Sequence, residues 1–391
     1  MNYILFDGDV RTALLPLTFT RPVADIRVGI LTIREKWEKY LGYTTSTITE
    51  EYLEEKYPMV ELAQNIMLNA SYLPNEVLAT MVKNLQPNEA IFKGEDVIAF
   101  YTTDEQEEVN FEDYKQIEFE EDCIQIKNTW DIFSLNDVAI RSDFELITKD
   151  RKSEPIPDTV QCVGKEQIFI EKGAKLTFCT LNATTGPIYI GKNAEIMEGC
   201  VVRGALAMCE NSVLKLGAKI YGATTLGPYC KVGGEVNNSV LLGYSNKGHD
   251  GFLGNSVLGE WCNLGADTNN SNLKNNYAEV RLWNYETGRF AKTGLQFCGL
   301  IMGDHSKCGI NTMFNTGTVI GVSANIFGSG FPRNFVPSFS WGGASGFTEY
   351  KLNKVDEVVE VVMRRRNIEY DAVEQRILSA VFEETKAFRN Y

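Results

Sequence analysis

The sequence predicts an α/β domain, then a parallel β-helix built from hexapeptide repeats, and then a C-terminal helical tail. Three observations predict this fold class: alternating strand and helix patterns up to residue 150, an apolar residue at every sixth position in the middle of the chain, and helical spacing after residue 349. The chain has 391 residues, which is enough for two or three domains. We place the domains at 1–157, 158–346 and 347–391.

The hexapeptide repeat is clearest between Ile190 and Val232. A strict period of six fits neither an α-helix nor a simple alternating strand. It fits a parallel β-helix, in which each hexapeptide forms one short strand and a turn, and three make one coil. The apolar residue points into the prism, and a mostly small residue fits beside the crowded corner. The apolar positions are Ile190, Ile196, Val202, Met208, Leu214, Ile220, Leu226 and Val232, and the others are Ala194, Cys200, Leu206, Ser212, Ala218, Thr224, Cys230 and Val236.

Two stretches interrupt the repeat, at 238–257 and 270–301, after which the period returns at Leu258 and at Met302. We expect both stretches to leave the coil, and we look for chemistry there. His305 falls at an outward position of a hexapeptide, so we expect it at the surface.

Strand and helix patterns alternate before residue 150. Short apolar runs predict strands at 3–6, 66–68, 97–100 and 124–126. Apolar residues at helical spacing predict helices over 22–41, 74–85 and 130–148. This alternation favours a mostly parallel sheet covered on both faces. In the tail, we expect the helices to cap the stack and the arginine run 364–366 to lie on a solvated helix face.

Composition excludes several classes of function. A net charge of −14 with no long basic run argues against a nucleic-acid surface. No apolar run reaches membrane-spanning length, and residues 1–15 do not resemble a signal peptide. The nine cysteines are scattered without a C-x-x-C pair, which indicates the cytoplasm.

The first interruption is polar and glycine-rich and contains His249, one of only two histidines. An imidazole that titrates near neutrality is suited to taking a proton from an amine or a hydroxyl group. A single histidine in a loop is, however, more often an ordinary surface residue.

Residues 247–254 read K-G-H-D-G-F-L-G, and residues 258–268 read L-G-E-W-C-N-L-G-A-D-T. Together they resemble the acetyltransferase half of the bifunctional N-acetylglucosamine-1-phosphate uridyltransferase / glucosamine-1-phosphate N-acetyltransferase family. In that family a G-H-x-x-[YF]-x-G loop precedes N-[IL]-G-A-[GD]-T. The resemblance covers residues 160–330 and implies that the β-helix is left-handed, an exception to the usual crossover rule.

The resemblance also implies roles for individual residues. His249 matches the general base, Phe252 an aromatic residue near the sugar phosphate, and Asn263 a residue that contacts the sugar. Ala266 and Asn272 match positions that line the channel for the cosubstrate acetyl-CoA.

The phosphate-binding lysine that the family has before the loop has no obvious counterpart. The region contains Glu235, which we count with Lys247 among the substrate-binding positions. Lys247 or Lys274 would have to supply the positive charge.

The N-terminal segment 6–23 reads F-D-G-D-V-R-T-A-L-L-P-L-T-F-T-R-P-V. It keeps the arginine and the P-L-T-x-x-x-P of the family's nucleotidyltransferase domain, but it lacks the phosphate-binding glycines and has Val23 in place of a lysine. The segment therefore resembles a divergent branch of this family, with an N-terminal nucleotidyltransferase-like α/β domain. We expect Arg11 and Arg21 to hold nucleotide phosphates, with surface ion pairing as the alternative; Mg²⁺ is a possible cofactor of this reaction.

The resemblance implies N-acetylation of glucosamine 1-phosphate coupled to nucleotidyl transfer from UTP, in a homotrimer. Two alternatives stay open: a nucleotidyltransferase whose β-helix only oligomerises, and a non-catalytic scaffold that binds sugar nucleotides. Two histidines cannot form the three-histidine zinc site of a γ-class carbonic anhydrase. An acyltransferase that uses acyl carrier protein would not need the N-terminal domain.

Overall fold

The computed structural model describes residues 2–102 and 109–391. The N-terminal domain has a six-stranded sheet whose strands lie in the order Ser46–Ile48, Asn2–Phe6, Asn65–Asn69, Asp96–Thr102, Glu89–Lys93 and Lys115–Glu118. Five of these six strands run in the same direction, and Asp96–Thr102 is antiparallel to both its neighbours, so the sheet is mostly parallel, as predicted. The helices are α1 (Ile33–Leu41), α2 (Glu76–Asn84), α3 (Asp131–Ser134) and α4 (Asn136–Thr148).

Helix α1 begins eleven residues later than the spacing predicts, because Thr32 and Glu35 form a capping box (33 − 22 = 11). The Thr32 side chain accepts from the Glu35 N–H, and the Glu35 carboxylate accepts from the Thr32 N–H at 2.6 Å. The preceding residues form a 3₁₀ turn, Val23–Asp25, and a loop that packs on the β-helix, where Ile30 contacts Ala205 and Ala207. Their apolar spacing therefore reflects tertiary packing and not a helix.

The β-helix has about ten turns between residues 161 and 342, as predicted. Its first face comprises Gln161–Val163, Thr180–Asn182, Val201–Arg203, Lys219–Tyr221, Glu235–Asn237 and Phe252–Gly254. Its second face comprises Ile168–Ile170, Ile188–Ile190, Leu206–Met208, Thr224–Leu226, Val240–Gly243, Val257–Glu260, Leu300–Met302, Thr318–Ile320 and Phe335–Val336. Its third face comprises Lys175–Leu176, Glu195–Ile196, Val213–Leu214, Lys231–Val232, Asn246–Lys247, Asn263–Leu264, Lys307–Cys308, Asn325–Ile326, Ser340–Gly343 and Gly346–Glu349. All eight apolar positions of the repeat are buried.

The first interruption does not leave the coil, contrary to expectation. Its strands Val240–Gly243, Asn246–Lys247 and Phe252–Gly254 join the second, third and first faces. The period is lost because the coils shorten: Leu206 pairs with Thr224 (224 − 206 = 18 residues), whereas Thr225 pairs with Val240 (240 − 225 = 15). The second interruption does leave the coil, as expected, and forms the antiparallel hairpin Arg281–Asn284 and Arg289–Lys292.

The tail forms α5 (Leu352–Arg364) and α6 (Ala372–Glu384), as predicted. These helices pack into one hydrophobic core with the N-terminal domain and the second face of the β-helix. Lys56 of the N-terminal domain pairs with Glu374 of α6 at 2.5 Å. None of the helices within residues 2–102 and 109–391 is long and apolar enough to cross a membrane.

Candidate functional site

A cavity of about 790 Å³ lies between the third face of the β-helix and the end of α5. His249, Asn263 and Ala266, three of the residues that the sequence predicts to be functional, all line this cavity. We call it the His249 pocket. The structure therefore brings the predicted base, the sugar-contacting asparagine and a predicted acetyl-CoA position together.

Stacking of the coils places polar side chains in a row along the third face. Lys231 pairs in register with Asn246, Asn246 with Asn263, and Asn263 with Lys307. Neighbouring strands lie about 4.8 Å apart, so these four side chains form a continuous ladder along one wall of the pocket.

His249 lies in the turn that follows the strand Asn246–Lys247. Its side chain is exposed, and within the described ranges its imidazole has no hydrogen-bond partner. Lys247 occupies an inward position, in register with Val232, and is only 2% exposed. Its Nζ donates to the carbonyl oxygens of His249 at 2.6 Å and of Gly233 at 3.0 Å, which anchors the turn. Burial lowers the pKa of Lys247 to about 8.

The pocket gathers positive charge on an acidic protein. Five of its lining residues are cationic and none is acidic: Lys215, Lys231, Lys307, Arg365 and Arg366. Burial and then the neighbouring Arg366 and Lys215 lower the pKa of Lys231. Burial lowers the pKa of Lys307 to about 8. Cations held this close without carboxylates repel one another, so the arrangement suits an anionic ligand.

Tyr244 and Trp261, which line the pocket, belong to a ladder of rings at successive corners of the coil. Tyr229, Tyr244 and Trp261 are stacked with centroids 5.1 and 4.2 Å apart, and His305 follows 6.2 Å from Trp261. All four have positive φ. His305 is 8% exposed, so the expectation that it lies at the surface is wrong. Burial holds its pKa well below the ordinary histidine value.

The other predicted residues of the acetyltransferase site lie elsewhere. Glu235 and Phe252 are neighbours in register on the first face, where Glu235 accepts from the Tyr221 hydroxyl group at 2.6 Å. Asn272 donates to the side chain of Asn255 at 2.8 Å. None of the three lines the His249 pocket.

The amide groups of the turn 264–266 are not all free to bind a ligand. The Gly265 N–H donates to the Cys308 carbonyl at 3.1 Å, as part of the coil ladder. Over residues 2–102 and 109–391, no acceptor faces the N–H of Ala266. Ala266 is therefore the available donor at this turn.

In the N-terminal domain, Arg11 donates to Asp7 at 2.9 Å and to Glu50 at 3.1 Å. Arg21 is buried, and its guanidinium pairs with Asp304 and, at 3.3 Å, with Glu260, both from the β-helix. Arg21 is thus in an ion pair, but in a buried one between domains. Nucleotide binding by the two arginines stays a prediction.

The N-terminal domain offers little to a metal ion. In the described ranges, no group of three or more His, Cys, Asp or Glu side chains is arranged to hold one. The Asp7 carboxylate already accepts from Arg11, from the Thr49 hydroxyl at 2.6 Å and from the Val23 N–H at 2.7 Å. These residues do not by themselves form a Mg²⁺ site, and we derive no step through the metal.

The cations of the pocket were not among the residues that the sequence motifs predict to be functional. Arg364 and Arg365 are exposed, as expected for a solvated helix face, and Arg366 is half-buried. Arg365 and Arg366 also line the pocket, where Arg366 donates to Asn246 at 3.2 Å. A signal was present for Lys231 and Lys307, since each directly precedes an inward apolar residue of the repeat and so points outward on a predicted strand. No local signal links them to the arginines.

Residues 3–152 match the family model described as "Sugar nucleotidyl transferase". This match covers the N-terminal domain and supports a transferase. A comparison of the whole chain with curated protein sequences gives no match.

Solved structures similar to this chain include two of AntD, an N-acyltransferase from Bacillus cereus. One is of a mutant of that enzyme in complex with dTDP and Coenzyme A, at 12% identity and a TM-score of 0.23. The other is in complex with dTDP and 3-hydroxybutyryl-CoA, at 14% and 0.21. Each alignment covers 53% of this chain and 91% of AntD. The UDP-N-acetylglucosamine acyltransferase from Campylobacter jejuni aligns over 60% of this chain and 83% of its own, at 16% identity and a TM-score of 0.22. At such scores these likenesses carry no conclusion about activity.

Proposed function

We propose that the protein N-acetylates glucosamine 1-phosphate in the His249 pocket with acetyl-CoA, and that its N-terminal domain transfers a nucleotidyl group from UTP to form UDP-N-acetylglucosamine. One observation carries the first half: an unpartnered imidazole lies at a cavity with five cations and no carboxylate. The match of residues 3–152 to sugar nucleotidyl transferases supports the second half.

In the proposed acetyl transfer, the neutral amino group of the sugar attacks the thioester carbonyl carbon while the His249 imidazole takes a proton from the nitrogen, so that an N–C bond forms. The tetrahedral intermediate then collapses and the C–S bond breaks. The proton held by His249 passes to the departing thiolate. A positioned base of this kind contributes typically 10²–10⁴-fold to the rate.

Two other groups have roles in this step. The Ala266 N–H, which has no acceptor among the described residues, would donate to the oxyanion of the tetrahedral intermediate. The Asn263 side chain, on the same wall as His249, would hold a sugar hydroxyl group.

The phosphate-binding residue that is missing before the His249 loop would be supplied by the tail. Arg365 and Arg366 lie at the C-terminal end of α5 and face Lys231 across the pocket. Burial and then the repulsion of these cations lower the pKa of Lys231, and a phosphate dianion between them would relieve the repulsion. Guanidinium groups bind phosphate oxygens in pairs, which would fix the orientation of the sugar.

Two assays test the proposal. Release of free thiol from acetyl-CoA is measured with glucosamine 1-phosphate, glucosamine 6-phosphate and galactosamine 1-phosphate. Release of pyrophosphate is measured with UTP and N-acetylglucosamine 1-phosphate. We expect both products, with glucosamine 1-phosphate preferred. Pyrophosphate without thiol would favour a nucleotidyltransferase with an oligomerising β-helix, and neither product would favour a scaffold.

We also propose a homotrimer with the β-helices side by side. Large apolar side chains on the outside of the coil support an assembly, since Phe178, Leu216 and Ile310 are 65–70% exposed. Sedimentation at micromolar concentration should give the mass of three chains, and a monomer would contradict this proposal.

A further inference from the structure

The hairpin Arg281–Asn284 and Arg289–Lys292 is the part of the chain that leaves the coil, and its two faces differ. Leu282 is buried, at 1% exposed. Arg281 and Trp283 lie on the opposite face because side chains alternate along a strand, and Phe290 joins them because it pairs in register with Trp283. The outward face of the hairpin therefore combines two aromatic rings with a cation.

This face forms one wall of a second cavity, of about 780 Å³. The other walls come from coil residues around Thr316 and Phe335 and from the end of the tail at Phe388. No residue lines both this cavity and the His249 pocket. We call it the Trp283 cavity.

The aromatic wall of the cavity is rigid. The Trp283 and Phe335 rings are stacked with centroids 4.1 Å apart and an interplanar angle of 8°. Phe290 contacts the Trp283 ring edge-on at 5.4 Å, and its side chain is 42% exposed. Rings that are held by one another present a preformed apolar surface to a flat aromatic ligand.

The charged residues of the lining are all cationic: they are Lys274, Arg281 and Arg333, and no Asp or Glu lines the cavity. The Lys274 Nζ also donates to the Glu279 carbonyl oxygen at 2.8 Å. Within residues 2–102 and 109–391, none of the three makes an ion pair with a carboxylate, although the protein carries a net charge of −14. On an acidic surface, three cations left unpaired around one cavity favour a ligand that brings its own negative charge.

We propose that the Trp283 cavity binds a nucleotide, with the base on the aromatic wall and the phosphates between Arg281, Arg333 and Lys274. The aromatic base of a nucleotide would stack on the rings of the wall, and the phosphate groups of the nucleotide would supply the negative charge that the lining lacks. The site goes beyond the proposed function, because it lies outside both the His249 pocket and the N-terminal domain. Its ligand is either the adenosine bisphosphate end of a coenzyme A thioester or a free uridine nucleotide.

Calorimetry on the full-length protein tests this site with three probes: adenosine 3′,5′-bisphosphate, UDP and inorganic pyrophosphate. We compare the wild type with Arg281→Ala and Arg333→Ala, whose side chains are exposed and whose loss should not unfold the chain. Arg289→Ala is the matched control, because Arg289 is an exposed arginine of the same hairpin that does not line the cavity.

We expect Arg281→Ala and Arg333→Ala each to weaken nucleotide binding roughly tenfold or more, as for a lost charged hydrogen bond. Arg289→Ala should bind as the wild type does, and pyrophosphate should bind more weakly than either nucleotide. A loss confined to adenosine 3′,5′-bisphosphate identifies coenzyme A as the source, and a loss confined to UDP identifies a uridine nucleotide. Equal affinities in all three variants, or no nucleotide binding, would overturn the proposal. Thiol release tests acetyl transfer in the His249 pocket in a separate assay. Failure of the proposed function can therefore be distinguished from failure of the nucleotide site in the Trp283 cavity.

Discussion

The His249 pocket lies between the coil and the tail, and the contact around Arg21 lies between the N-terminal domain and the coil. Both gather charged side chains, but they differ in how the charges are balanced. In the pocket, five cations lie together without a carboxylate in the lining. Around Arg21, each charge has a partner: the guanidinium pairs with Asp304 and Glu260, and the Thr20 hydroxyl donates to Asp304 at 2.8 Å. Burial works to raise the pKa of Glu260, but Arg21 beside it holds that pKa below its usual value.

This difference separates a ligand site from a structural contact. Unpaired charges that face a cavity gain by binding an opposite charge, whereas buried charges that already pair have nothing further to bind. The two regions are also adjacent in sequence, because Glu260 precedes Trp261 and Asp304 precedes His305. The ion pairs of Arg21 therefore lie beside Trp261, which lines the pocket, and beside His305, which stacks on Trp261.

The largest effect is expected from His249→Ala. Loss of the base should lower acetyl transfer about 10²–10⁴-fold. The melting temperature should stay nearly unchanged, because the side chain is exposed and makes no contact that holds the coil. Thiol release measures the loss of acetyl transfer, and thermal unfolding measures the melting temperature. Asp250→Ala, which changes the adjacent exposed residue, is the control. Near-wild-type transfer in His249→Ala would falsify the assignment.

Arg21→Ala should act on stability. Removing the guanidinium leaves two carboxylates without their cation, which costs about 3–5 kcal/mol when the pair is buried. Urea unfolding measures this loss. Lys354→Ala, which breaks an exposed ion pair with Glu357, is the control and should cost about 0–1 kcal/mol. Unchanged stability together with weaker UTP binding would instead support a phosphate role for Arg21.

Arg365→Ala and Arg366→Ala should each raise the KM for glucosamine 1-phosphate. A charged hydrogen bond is worth about 1.5–3 kcal/mol, or roughly 10- to 150-fold in affinity. Arg364→Ala is the matched control, because Arg364 lies one residue earlier, pairs with Glu360 at the surface and does not line the pocket. Equal KM values in the three variants would remove the tail from phosphate binding.

The smallest expected effect is a dependence of sugar-phosphate affinity on pH. Burial lowers the pKa of Lys307 to about 8, so its charge is present at pH 7 and mostly lost at pH 9. Affinity for glucose 1-phosphate, which has no amine to titrate, should fall about severalfold over this range. Calorimetry at the two pH values checks the fall, and Lys307→Met should flatten it. A pH dependence that is the same in Lys307→Met would contradict the role of this lysine.

The lowered pKa of Lys307 also affects stability. An unfolded lysine titrates near 10.4, so between about pH 8 and 10.4 the unfolded chain binds more protons at this position than the folded chain does. The contribution of Lys307 to the free energy of unfolding should therefore rise with pH in that window.

The β-helix could be predicted from the sequence alone, because most inward positions of a narrow prism are apolar and those residues recur with a period of six. The same holds for the helical tail, whose apolar spacing is regular, and for three members of the site, since His249, Asn263 and Ala266 lie close in the chain on successive turns. A coil of 15 residues, however, breaks the period of six, and for this reason residues 238–257 were expected outside the stack.

What covers each outward position depends instead on tertiary packing. His305 and Arg365 both point away from their own element, as their patterns require. The period states which side of a coil or helix a residue faces, but not which other element packs against that side. His305 is buried beside Trp261, near the ion pairs of Arg21, and Arg365 lines the pocket of His249, because segments distant in sequence meet there through a shared hydrophobic core.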